Sequence, residues 1–229
     1  MTAAPQDAAA PDIEASAGTA AGTAKERSGL YGFLAEVFRA APTPELLRRI
    51  KDNGFLETLT AAGAHLDREF LQRPEDELLE DLAVEYTRLF LGPGKHVQPY
   101  AAIYLGGAGA SLCGPATVWA RDFMERAGFT LTPEHHGLPD HVSVELEFMA
   151  GMAEREARAI EGSDLEAAAE CRWIQKEFLQ DHLGRWLPEF CGRAAAHAEL
   201  TFYREMARLA GHFLDSELAY FAEAKETAS

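Results

Sequence analysis

Residues 74–93 read PEDELLEDLAVEYTRLFLGP, and from them the reading of the whole chain spreads outward. Leu78, Leu79, Leu82, Tyr86, Leu89 and Phe90 recur at three- and four-residue intervals, which places them on one face of a helix. Gly92-Pro93 then stops that helix, since proline has no N–H for a further turn. The same period returns upstream. Leu30, Phe33, Leu34, Val37 and Phe38 form one face of a helix that Ser28 would cap, and Thr43-Pro44-Glu45 opens a short helix through Leu46, Leu47 and Ile50 that ends at Asn53-Gly54. Downstream, Pro115 starts a helix carrying Val118, Trp119 and Phe123, with Gly128 as its left-handed cap, and Asp140 caps another with the stripe Val144, Phe148, Met149 and Met152. Residues 164–225 supply two or three further helices with breaks near Gly184 and Pro188. No segment alternates with the period of two that strands need. The expected fold is all-α: a single globular domain of roughly eight to ten helices over residues 27–226, after a disordered Ala-rich tail over residues 1–26.

With 229 residues, 47% of them hydrophobic and 25% charged, the chain can bury a sizeable core. Its 37 Asp+Glu against 21 Lys+Arg give a formal charge of −16, which repels phosphate backbones and favours a basic partner over nucleic acid. No run approaches the ~20 apolar residues of a membrane span. Cys113, Cys171 and Cys191 are widely spaced and form no Cys-x-x-Cys pair, which fits a reducing compartment. Asp7, Asp12 and Glu14 stand where a secretory signal would carry basic residues, so the chain reads as cytoplasmic.

Three constellations carry chemical interest. The first is Glu85-Tyr86-x-x-Leu89-Phe90-x-Gly92-Pro93, continued by Pro99-Tyr100 and Tyr104 in a Gly/Pro-rich stretch, 92–114, with no helical period. Tyr86 and Phe90 share a helical face and, with the two later tyrosines, either form an aromatic groove for a peptide or pack in the core. In the second, Pro139-Asp140-His141-x-x-x-Glu145, the last two side chains lie one turn apart on an apolar face. They are expected to pair with each other, to bind a polar ligand group or to do acid–base work; the simpler alternative is an Asp140 cap beside a structural pair. His135, His136, His141 and Glu145 are ligand types that suit zinc or iron, although their spacing matches no His-Glu-x-x-His or Glu-x-x-His pattern. The third is Phe178-Leu179-x-x-His182-Leu183-x-x-Trp186-Leu187-Pro188-x-Phe190, which reads as core with His182 at the surface or boundary. Neither a Gly-x-Ser-x-Gly nucleophile turn nor a Gly-Lys-[Ser/Thr] phosphate loop occurs.

In this order, Tyr86-Thr87-Arg88-Leu89-Phe90-Leu91-Gly92-Pro93, Pro99-Tyr100, Tyr104, Pro139-Asp140-His141 and His182-Leu183-Gly184-Arg185-Trp186 resemble the TorD/DmsD/NarJ family of cytoplasmic chaperones for DMSO-reductase-class molybdoenzymes. The resemblance covers roughly residues 28–220. It implies a TorD-like helical fold and a binding protein rather than an enzyme, with no cofactor of its own. Its partner would be the apo-form of a molybdoenzyme catalytic subunit, held by its N-terminal, often twin-arginine, leader until molybdenum cofactor insertion is complete and export is safe. Carried onto this chain, Tyr86, Phe90, Gly92, Pro93, Pro99, Tyr100 and Tyr104 would wall the leader groove, and Asp140, His141 and Glu145 would form its polar, carboxylate-bearing end for the arginines. Some members carry Trp where this chain has Tyr86. Members occur as monomers and as helix-exchanged homodimers, and the breaks between Gly128 and Pro139 would serve as the hinge. The rival reading is a small helical metal-dependent enzyme built on His135, His136, His141 and Glu145.

Overall fold

Thr43, Asp67 and Asp164 each turn a side-chain oxygen onto an N–H in the first turn of a helix, and such caps cut the chain into its elements. The computed structural model describes residues 10–92, 96–107, 109–130 and 137–223, with side chains from residue 18. The helices are α1 (Ala10–Arg39), α2 (Pro44–Lys51), α3 (Asn53–Ala61), α4 (Arg68–Gln72), α5 (Glu75–Tyr86), α6 (Ala101–Leu105), α7 (Pro115–Arg126), α8 (Val142–Glu161), α9 (Leu165–Phe178), α10 (Gly184–His197) and α11 (Thr201–Glu223). A π turn, Thr87–Leu91, prolongs α5, and a second, Leu179–Leu183, joins α9 to α10 without a break. The eleven segments therefore make ten rods, and among the described residues the only β pairing is an isolated bridge between Tyr100 and His141.

Helix α8 lies at the centre, against α1 on one side and α9 on the other, while α10 and α11 form a second antiparallel pair. Val142, Leu146, Phe148, Met149, Met152 and Ala153 of α8 are fully or almost fully buried. Rings from four elements meet beside it: Phe38 lies 6.1 Å from Phe90 and 5.4 Å from Phe190, and Phe90 lies 6.0 Å from Tyr203.

Two boundaries differ from the sequence reading. Order does not begin near Ser28: α1 starts at Ala10, and the expected limit between residues 26 and 27 falls inside it. Ala21 packs with Ile160 and Ala168, and the buried Arg27 guanidinium bonds Glu217 (2.7–2.9 Å), Glu156 (3.1 Å) and Gln175 (2.7 Å). Alanine is the strongest helix former, and its small side chain lets helices approach closely, so from residue 18 on the Ala-rich stretch, with Ala21 and Ala24 buried, packs against the body rather than forming a solvated tail. Residues 1–9 and 224–229 lie outside the described residues. The second difference is at Gly184 and Pro188, where the helix continues instead of breaking. Gly184 makes this possible, because a Cβ there would stand 2.7 Å from the Leu179 carbonyl oxygen. Gly128, at φ 73°, ends α7 in the left-handed region as expected.

Candidate functional site

The end of α5, the segment before α6 and the start of α8 converge through backbone contacts. After the π turn, Val97 N–H donates to the Leu89 carbonyl at 2.8 Å, which folds the chain back along its own helix. The Tyr100–His141 bridge follows: Ala101 N–H donates to the Asp140 carbonyl (3.0 Å) and Val142 N–H to the Pro99 carbonyl (2.9 Å). Asp140 is fully buried and does not cap its own helix. Its Oδ2 accepts from Ala102 N–H at 2.9 Å, capping α6 across a gap of 38 positions.

His141 takes over the cap of α8. Its Nδ1 accepts from Ser143 N–H at 3.2 Å and lies 2.8 Å from Ser143 Oγ. Burial, reinforced by the Arg39 charge, pushes its pKa down to about 4, so the ring is neutral at physiological pH. With Nδ1 accepting, the remaining proton resides on Nε2, which is left as a donor. Tyr100 sets its ring edge-on to this imidazole at 5.0 Å, and burial followed by the Asp140 charge raises its hydroxyl pKa.

Glu145 and His141 do not pair. The fully buried Glu145 carboxylate lies with Oε1 2.7 Å from His182 Nε2, and its Oε2 accepts from Trp186 Nε1–H at 2.9 Å. Burial raises its pKa, opposed by His182 and Trp186. His182 is itself buried, not at the boundary, under the Trp119 ring at 4.6 Å. The third sequence segment thus supplies the partners of the second, and both carboxylate oxygens are taken. The metal set loses Glu145 for that reason; His135 and His136 lie outside the described residues, and among the described residues no three ligand side chains cluster.

In front of this centre opens a cavity of about 450 Å³. The end of α1 (Arg39, Ala40, Ala41), α5 with its π turn (Tyr86, Thr87, Leu91), Tyr100, Gly137, His141, Ser143 and Val144 line it. Of the sequence-selected residues, Tyr86, Tyr100 and His141 reach it. Tyr86 is only 4% exposed and donates its hydroxyl to the Phe38 carbonyl at 3.1 Å, so it is core as well as lining. Phe90 belongs to the core among Phe38, Phe190 and Tyr203. Tyr104 faces elsewhere, its ring tilted against Trp186 at 5.5 Å under the Arg193 guanidinium, with its hydroxyl donating to the Gln98 carbonyl. Gly92 and Pro99 are buried, the former where a Cβ would stand 3.1 Å from the Thr87 carbonyl oxygen; Pro93 lies outside the described residues.

The carboxylate-bearing groove expected from the sequence is therefore corrected: among the described residues no Asp or Glu lines the cavity, and the charged one that does is Arg39, 2.5 Å from Glu147 Oε2. Sequence reading missed Arg39, Thr87, Leu91 and Ser143. Arg39 immediately follows the apolar face ending at Phe38, and Thr87 and Leu91 sit inside the quoted motif, so their positions were visible though their direction was not.

Residues 52–192 match the protein family described as nitrate reductase delta subunit. The chain is 31% identical over 151 residues to the chaperone protein TorD of Vibrio parahaemolyticus, covering 66% of this chain and 68% of that one. Against the chaperone protein TorD of Vibrio vulnificus strain YJ016 it is 28% identical over 209 residues, covering 84% and 94%. A crystal structure described as a redox enzyme maturation protein from Archaeoglobus fulgidus superposes with a TM-score of 0.52 at 23% identity, over 82% of this chain and 93% of that one. That likeness is one of fold.

Proposed function

The chain belongs to the nitrate reductase delta-subunit family, and on that premise we propose that it is a chaperone for the catalytic subunit of a molybdoenzyme. In this reading it acts in the cytoplasm, grips the N-terminal leader of the apo-subunit, twin-arginine where the client is exported, and holds that subunit until its molybdenum cofactor is in place. The observation that carries the reading is the cavity, assembled from two of the three ordered sequence segments and backed by the third through Glu145. Binding is what its residues are arranged for. Tyr86 and Val144 give apolar walls, His141 and Tyr100 offer N–H and O–H donors, and the bridge between the Tyr100 and His141 backbones fixes the two rings. The −16 charge adds long-range attraction for a basic leader. On this account the partner is the leader and its apo-subunit, and the protein works as a monomer or a helix-exchanged dimer.

Calorimetry with synthetic leaders of the molybdoenzyme subunits encoded in the same genome tests the proposal. One leader is expected to bind with a 1:1 stoichiometry per chain, and a deletion strain should accumulate that enzyme without cofactor. Absence of binding to every leader, together with normal enzyme maturation in the deletion strain, overturns it.

A further inference from the structure

A second cleft, of about 360 Å³, lies between the end of α7, the second half of α8 and α9. It is separate from the cavity described above, because its α8 residues begin at Arg155, about 16 Å along the helix from Val144. In a chain whose acidic residues outnumber basic ones 37 to 21, this cleft is cationic. Among the described residues Arg126, Arg155 and Arg158 line it against a single carboxylate, Glu170. The three guanidiniums are held differently, and all keep donors to spare. Arg155 Nη1 donates to the Ala127 carbonyl at 2.9 Å, which ties its side chain to the end of α7. Arg158 donates its Nε–H to Glu154 at 2.9 Å, and Arg126 lies over the Phe123 ring at 5.7 Å, with no carboxylate in ion-pair reach among the described residues. A guanidinium carries five N–H donors, so most of these remain open. The rest of the wall is Ala127, Ala159, Ala167, Ile174 and the Cys171 thiol, which is apolar or nearly so.

Guanidinium forks match the oxygens of an anion two at a time, so the arginines select for negative charge. Their placement selects further. Arg155 and Arg158 are neighbours on one face of α8, while Arg126 stands on α7, and the wall they share is aliphatic. A compact phosphoryl group gathers its charge at one point and leaves that wall bare, whereas carboxylates separated by hydrocarbon meet both helices and the wall together. The volume lies at the lower end of small-molecule sites, which suits a small metabolite rather than a dinucleotide. We propose that this cleft binds a small aliphatic di- or tricarboxylate, one carboxylate on Arg126 and another on Arg155 and Arg158. The proposal stands apart from the chaperone reading, since it uses none of the residues of the first cavity.

The full chain carries its own reporter, because Cys171 lines the cleft and is half-buried, Cys113 is exposed elsewhere and Cys191 is buried. Alkylation by iodoacetamide is followed by peptide mass spectrometry at constant ionic strength, with glutarate, tricarballylate, pyrophosphate or chloride as the added anion. Glutarate and tricarballylate are expected to slow Cys171 labelling about tenfold, with midpoints of about 1 mM or below, while Cys113 keeps its rate. Arg126→Gln and Arg158→Gln should each raise the midpoint about threefold to tenfold with unchanged circular dichroism; Arg155 is left intact because it also ties α7 to α8. Protection no better than that by chloride overturns the proposal. So does pyrophosphate protecting as well as the carboxylates, which would make the cleft a phosphoryl site, and so does a midpoint that neither substitution moves. Leader binding is read separately by calorimetry, and its failure leaves this result standing.

Discussion

Glu145 and Glu156 stand about three turns apart on α8 and are equally buried, but they end on different chemistry. Glu156 takes Arg27 at 3.1 Å, Arg172 at 2.8–2.9 Å and Gln175 at 2.9 Å, while Arg27 also grips Glu217, so two arginines face two glutamates across α1, α8, α9 and α11. Glu145 ends instead on the ring nitrogens of His182 and Trp186, directly behind the cavity. Permanent, balanced charge fixes the end of α8 that only has to hold. Ring nitrogens support the end that faces the cavity. The comparison teaches that equal burial does not give two carboxylates the same surroundings; the kind of partner is what separates them.

The sharpest way to break this contrast is Arg27→Met, which leaves Glu217 and Glu156 short of a counter-charge in the interior. A loss of about 3–5 kcal/mol in denaturant unfolding is expected, and a loss under about 1 kcal/mol would mean that the four-helix network is not the anchor described. Next comes pH. His141 titrates near 4 in the folded chain against 6.5 in the reference state, so the unfolded chain takes the proton first as pH falls. The contribution is whole above about 6.5 and disappears as pH drops towards 4. His141→Asn keeps a cap oxygen but removes the titration, so wild type should lose about 3 kcal/mol more than the variant over that window, read from paired urea titrations. Parallel curves would show that the imidazole is not desolvated.

Glu145→Ala should cost about 1–3 kcal/mol by stranding the His182 and Trp186 nitrogens, and should also weaken leader binding because the cavity loses its backing. Stability loss with undiminished binding would separate the two ends of α8 less than argued. Tyr86→Phe removes only the hydroxyl bond to Phe38 and keeps the ring, for about 1 kcal/mol and little change in affinity.

Helical periodicity carried most of the fold. Leu78, Leu82, Tyr86, Leu89 and Phe90 are all buried on one side of a continuous rod, as their spacing requires. Local pattern failed where the deciding partner is distant. The Ala-rich stretch ahead of Arg27 looks solvated by composition, but Ala21 packs with Ile160 and Ala168, and Arg27 itself holds Glu217, 190 positions on. His141 and Glu145 share a face, which made a local pair the economical reading, but the donors that face Glu145 come from the run between α9 and α10. Spacing tells which side chains look the same way; it does not tell what looks back. Arg39 was overlooked for a related reason, since a basic residue in the last turn of a helix already has an ordinary role in offsetting the helix dipole.

The two π turns, Thr87–Leu91 and Leu179–Leu183, have a consequence for how this chain tolerates change. Each holds a residue more than a regular turn would, so the rod beyond it is set by a count and not only by composition. Deleting one residue within either run would remove that extra residue and let an ordinary helix form with the flanking residues facing much as before, whereas the same deletion in a regular stretch of helix turns everything after it by about 100°. A single deletion that would misface a regular helix is therefore absorbed at these two runs, which act as slack in their rods rather than as fixed lengths.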